Sequence, residues 1–270
     1  MARDLSIADV AAIIEPIPDF SGMMLIGGQA LNYWAETLGI ADAQSSGPYG
    51  PATSEDIDML GSVAAVRSFA KALNVEPQIA GFADAHSPNS GVVTFEFDGA
   101  MHSVDFLAHM AGFAVAELPS VLKWAHVVSL SKKPKATLSV MHPMHCLQAQ
   151  LENIYGEVLN RRASVDGARY ASRVRLCVEA TRRIAQRCAT TADVDAALEM
   201  AEHVHQLSYL KSALRAQYED GIAVDAAIYR GVEMPEKFLT LRVLQMERLL
   251  ALRVKKYQQL RERIKARGSA

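Results

Sequence analysis

Asp98-Gly99 lies between two runs of alternating apolar residues, Val92–Phe97 and Ala100–Leu107, and nothing else in this 270-residue chain limits its fold as tightly. Asp-Gly suits a two-residue hairpin turn because both central positions of that turn need positive φ. Such a turn pairs Phe97 with Ala100 and Val92 with Asp105. Side chains alternate across a strand, so Val93, Phe95 and Phe97 then share a face with Val104 and Phe106. That face is the core side. Thr94, Glu96, Ser103 and Asp105 share the other. Turn chemistry and apolar alternation specify the same register.

The elements around the hairpin alternate between strand and helix. Ile7–Ile14 has helical spacing and is stopped by Pro16 and Pro18. Met23–Ile26 reads as a short buried strand ending at Gly27-Gly28, and Gln29 to Leu38 follows with a helical pattern. Ala41–Ala52 is rich in Ser, Gly and Pro and reads as a loop. Asp56–Leu60 returns as a strand and Val63–Leu73 as a helix. A second hairpin is expected where Ala125–Leu130 and Ala136–Met141 flank Ser131-Lys-Lys-Pro-Lys135. From Pro143 onward the pattern is helical, over about 143–160, 165–188, 191–217 and 236–266. The expectation is an α/β (α+β) chain, with a mixed-sheet domain over 1–142 and a helical domain over 143–270.

The net charge of −2 conceals an asymmetry. Residues 1–120 hold 3 Lys/Arg against 15 Asp/Glu, and residues 121–270 hold 25 against 15. An acidic half suits cations and a basic half suits polyanions, while two solvated surfaces of opposite sign would look the same in composition. Cys146, Cys177 and Cys188 are too few and too far apart for a disulfide framework, which fits a reducing cytoplasm. No apolar run reaches the length of a membrane span, so no membrane role is expected. The first apolar stretch carries Asp9 and Glu15 and does not read as a signal peptide.

The chemistry concentrates in three short segments. Residues two apart on a strand project to one face, so Asp56 and Asp58 point together while Ile57 enters the core. Two carboxylates side by side repel unless a cation lies between them. Asp105, on the polar face of its strand, completes a set of three. Oxygen donors of this kind suit Mg²⁺, which takes its remaining ligands from water and substrate phosphates, and a pair of such ions suits in-line phosphoryl chemistry. The turn at Gly27-Gly28 opens a helix whose first N–H groups are free to meet a phosphate.

Leu25-Ile-Gly-Gly-Gln-Ala30, Ser54-Glu-Asp-Ile-Asp58 and Val104-Asp-Phe106 together resemble the polymerase-β-like nucleotidyltransferase superfamily, nearest to abortive-infection toxin nucleotidyltransferases of the AbiEii type. The resemblance covers about residues 20–110, with a looser likeness in the helical half. It implies that Gly27 and Gly28 cradle the phosphates of an NTP such as ATP and that Ser54 stands where the family has a small hydroxyl near phosphate. Asp56, Asp58 and Asp105 would be the catalytic carboxylates holding two Mg²⁺ ions. The implied reaction transfers NMP from an NTP to an acceptor hydroxyl, on RNA, a protein or a small molecule of the antibiotic type. The resemblance also implies a toxin with an antitoxin partner. A member that binds nucleotide or partner without turnover is the non-enzymatic alternative.

Other motifs carry less. His142-x-x-His145-Cys146 reads as the residues of a helix start, because no second ligand pair stands at metal-binding spacing. His203 and His205 diverge on a helix. No Gly-x-x-x-x-Gly-Lys or Gly-x-Gly-x-x-Gly pattern occurs. Near the end, Val243, Met246, Leu250, Tyr257, Leu260 and Ile264 follow heptad spacing, interrupted by Arg253. Residues 242–267 hold nine Lys/Arg and two Asp/Glu, which reads either as a solvated basic face or as a docking helix for RNA or a partner. Lys255, Lys256, Arg261 and Arg263 on this helix, and Lys132, Lys133 and Lys135 in the second hairpin, are the clusters able to track phosphates.

Overall fold

The computed structural model describes residues 4–81, 88–129, 136–156, 167–191, 193–229 and 232–268. The chain divides into two compact units, Met1–Ala149 and Gln150–Ala270. The first is a mixed sheet with helices and the second is helical. No helix among the described residues is long and apolar enough to cross a membrane.

In the first unit, α1 (Ile7–Ile14) begins in a reciprocal cap. The Asp9 N–H donates to Ser6 Oγ (3.2 Å) and the Ser6 N–H donates to Asp9 Oδ2 (2.8 Å), so two otherwise orphaned donors are satisfied. There follow β1 (Met23–Ile26), α2 (Gly27–Thr37), β2 (Ile57–Gly61), α3 (Val63–Leu73), β3 (Pro77–Ile79), β4 (Asn89–Phe97) and β5 (Ala100–Leu107). Then come α4 (Leu118–Lys123), β6 (His126–Val128), β7 (Leu138–Val140) and α5 (Pro143–Tyr155), within which the division between the units falls.

The seven strands form one sheet in the order β3-β4-β5-β2-β1-β7-β6. All four residues of β1 are buried, as an unbroken apolar run in a central strand must be. It runs antiparallel to β2 and parallel to β7, while β2 runs parallel to β5. The β4–β5 hairpin has the register expected from its turn, with Phe97 opposite Ala100 and Val92 opposite Asp105. Asp98 and Gly99 both take positive φ, 52° and 74°. On the buried face, Phe69 of α3 meets Phe106 edge to face at 5.4 Å between centroids.

Some elements differ from the sequence reading. α2 starts at Gly27 rather than Gln29, because glycines contribute nothing to an apolar period. The strands of the second hairpin are shorter than expected but pair antiparallel, Val127 opposite Ser139. Lys132, Lys133 and Lys135 lie outside the described residues. β3 and α4 are absent from the sequence reading: each is too short to show a period.

The second unit contains α6 (Gly167–Thr190), α7 (Val194–Ser208), α8 (Lys211–Asp220), α9 (Ala226–Tyr229), a π-helical stretch at Phe238–Val243 and α10 (Leu244–Gly268). The single helix expected over 191–217 is two. Leu210 is extended (φ −64°, ψ 148°), and just before it the Ser208 hydroxyl donates back to the His205 carbonyl at 2.6 Å. A serine hydroxyl competing for helix carbonyls loosens the ladder there, and apolar periodicity does not record it. The expected 236–266 helix likewise begins as a π-helical stretch.

Candidate active site

The last residue of β1 and the first residues of β2 meet beside the body of β5, in the middle of the first unit's sheet. Ile26, the last residue of β1, faces Asp58 on β2, and Asp58 faces Asp105 on β5. The two registers set Asp105, Asp58 and the Gly27 turn side by side. Gly27 has φ +61°, and a Cβ there would overlap the Asp58 carboxylate, with Cγ only 2.8 Å away. Glycine at 27 is therefore required twice, by backbone conformation and by the approach of an acidic side chain.

Asp56 is exposed and accepts from the Ser103 hydroxyl at 3.5 Å across to β5. Asp105 is half-buried. Burial lifts its carboxyl above the ordinary 3.8, and the negative charge of Asp56 lifts it further. Like charges thus press on one another here. Among the described residues, however, no group of three or more His, Cys, Asp or Glu side chains is disposed to hold a metal ion. Asp58 stands abreast of Asp105, and Asp56 acts electrostatically on Asp105, but the three do not close around a common centre. In chemical type, all-oxygen carboxylate donors fit Mg²⁺.

Gly28 is buried in the first turn of α2, whose N-cap, Ile26, offers no side-chain acceptor. Ser54 is buried, and its backbone forms a two-way bridge with Leu5, N–H to carbonyl at 2.8 and 3.1 Å.

Gln29 is a residue that the sequence reading missed. It is fully buried, and its Nε2 donates to the carbonyls of Leu5 (3.2 Å) and Ser54 (3.3 Å), while its Oε1 accepts from Asn32 Nδ2 (3.0 Å). One amide ties the start of α2 to the segment that leads into Asp56. Glutamine two residues after a strand-terminal Gly is the available signal, but a polar residue at a helix start ordinarily reads as solvated. Gln29→Ala should destabilise the protein by about 1–3 kcal/mol, because it strands the buried Asn32 amide and removes both ties. Urea unfolding measures this; a loss below about 0.5 kcal/mol would contradict it.

The sheet continues onto β7 and β6. The Met141 N–H donates to the Leu25 carbonyl (2.9 Å), and Trp34 Nε1 donates to the Met141 carbonyl (2.7 Å). Trp34 packs against His126 and His142 at 5.3 and 6.0 Å between centroids, and Trp124 against His142 at 5.3 Å. His142 precedes α5, and its Nδ1 accepts the Met144 N–H at 3.3 Å. Burial pushes the Cys146 thiol up to about 12, so this cysteine is a buried apolar group rather than a thiolate ligand.

Comparison with protein-family models, with curated proteins and with solved structures finds no match for this chain.

Proposed function

We propose that the first unit is a nucleotidyltransferase domain of the polymerase-β-like kind. In this reading it moves an NMP group from an NTP to an acceptor hydroxyl and releases pyrophosphate. The observation that carries the proposal is the contact between the left-handed Gly27 turn and the Asp58 carboxylate, with Asp105 next in register. A left-handed glycine turn at a helix start, closed over by a carboxylate with a second carboxylate next in register, brings together the groups that metal-assisted phosphoryl chemistry uses. Gly27 and Gly28 would receive the triphosphate on backbone N–H groups, with Ser54 close behind. Asp56, Asp58 and Asp105 would hold Mg²⁺. When bound, the metal supplies charge neutralisation at the phosphates and activation of the attacking hydroxyl.

The chain's own share is positioning. Gln29 fixes the distance between the glycine turn and the segment at Ser54 that leads through Asp56, in the bend before β2 rather than on the strand as expected, to Asp58 on β2. Asp105, with its raised proton affinity, is suited to take the proton of the acceptor hydroxyl. The acceptor is a hydroxyl on RNA or protein. The basic balance of residues 121–270 supplies what an RNA backbone needs, and the same chemistry serves a toxin held in check by an antitoxin.

A thermal-shift series tests the reading. Mg²⁺ with the correct NTP should raise Tm for the wild-type chain by mass action, and Asp56→Ala and Asp58→Ala should each lose that rise. The absence of a rise with all four NTPs would contradict nucleotide binding.

The raised proton affinity of Asp105 has its own consequence without metal. A carboxyl whose folded pKa lies above its unfolded value contributes stability at low pH that is lost as pH rises through the folded value. In EDTA at pH 7, Asp105→Asn should therefore melt higher than wild type. The difference should shrink as pH falls below the raised carboxyl range. Melts from pH 3 to 8 check this, and a difference that does not change with pH would contradict the charge origin.

A further inference from the structure

Among the described residues, most of the large apolar side chains left exposed lie between 239 and 264, on the π-helical stretch and α10. α10 has two faces. On the inner face Val243, at the end of the π-helical stretch, joins Met246 and Leu250, all three buried. Also inward, the Arg253 guanidinium covers the Tyr209 ring at 4.4 Å and Tyr257 meets Tyr218 at 6.1 Å between centroids. This half of the heptad seam is used within the second unit. The outer face is different. Leu249, Leu252, Leu260 and Ile264 are 47, 57, 53 and 52% exposed. At about 100° per residue these four fall within an arc roughly 120° wide. Lys256 and Arg263, both exposed, fall in the same arc.

Two exposed apolar pairs on one side of a helix, Leu249 with Leu252 and Leu260 with Ile264, mark an interaction surface, and Lys256 stands between them. The charge chooses the occupant. Residues 242–267 carry nine Lys/Arg against two Asp/Glu; the exposed Lys256, Arg263 and Arg267 stand inside the apolar arc, and so does Arg253, whose guanidinium is turned to Tyr209. A facing helix must therefore supply apolar residues for the leucines and carboxylates for Lys256 and Arg263. A second copy of α10 would set like charges against each other. RNA would answer the cations and leave the leucines in water. A lipid surface requires the apolar arc to be free of charge, with the cations on the opposite face.

We propose that the outer face of α10 is a docking site for an acidic amphipathic helix of a partner protein. The site stands independently of the transfer chemistry. The probe is a fluorescein-labelled four-heptad peptide with Leu at a and d and Glu at e and g, titrated against the full chain by anisotropy. Saturable binding is expected. Its affinity should fall at least about tenfold in Leu252→Glu/Leu260→Glu and in Lys256→Glu. The matching peptide with Lys at e and g should not bind. Both altered sites are exposed, and circular-dichroism melts establish that the variants fold. Absence of saturable binding, or equal binding by the folded double variant, would overturn the proposal. So would tighter binding to anionic vesicles or single-stranded RNA than to the peptide. A wild-type dimer in sedimentation that Leu252→Glu/Leu260→Glu abolishes would also overturn it, by assigning the face to a second copy.

Discussion

Asp58→Ala is expected to lower the proposed nucleotidyl transfer at least about a hundredfold, the scale on which a single charge-stabilising group at a reacting centre is felt. The size follows from position. Asp58 is the middle member of the row Asp105, Asp58, Gly27, paired in register with β1 on one side and β5 on the other. Without it the Gly27 turn and Asp105 lose the carboxylate that lies between them. The fold does not suffer. Asp58 is only half-buried, and removing one of several clustered like charges relieves repulsion, so the metal-free variant melts at or above wild type. Single-turnover transfer assays beside thermal melts separate the two effects. Wild-type rates from the folded variant would remove Asp58 from the site.

Gly27→Ala is expected to lose stability on two counts. Left-handed backbone at a non-glycine residue costs about 1–3 kcal/mol. The new Cβ would also enter the space of the Asp58 carboxylate. In the Asp58→Ala background the overlap with the carboxylate is removed, while the Cβ of residue 58, 2.9 Å away, and about 1–2 kcal/mol of backbone strain remain. The two substitutions should therefore couple by more than about 0.5 kcal/mol in a double-mutant cycle. Urea unfolding of the four proteins measures the coupling, and simple additivity would show that residue 27 does not press on Asp58.

The hairpin was legible because two independent signals agreed: Asp98-Gly99 demanded a two-residue turn and the alternation of Val93, Phe95, Val104 and Phe106 demanded the same register. That register puts Asp105 on the polar face of β5, but its place beside Asp58 comes from the parallel pairing of β2 with β5, which no residue pattern announced. Nor could residues alone say how closely the three carboxylates approach. Backbone pairing decides which are neighbours, but side-chain rotamers answering like-charge repulsion decide their separation. Gln29 was hidden because its role depends on two carbonyls far away in the chain, at Leu5 and Ser54. The packing of Trp34 and Trp124 on His126 and His142 was hidden for the same reason, since four chain segments contribute. On α10 the heptad identified the buried seam through Leu250 but carried it on to Leu260 and Ile264, which are exposed, and it missed Leu249 and Leu252 outside the seam.

Metal-dependent transfer from an NTP is tested most directly by following the α-phosphate. The chain is incubated with each α-labelled NTP in turn, Mg²⁺, and total RNA or cell extract, in parallel with folded Asp58→Ala. The result expected is label moving from a preferred NTP onto a macromolecule, with pyrophosphate released, and its loss both in EDTA and in the variant. No labelled product from any of the four NTPs, or equal labelling by Asp58→Ala, would contradict it.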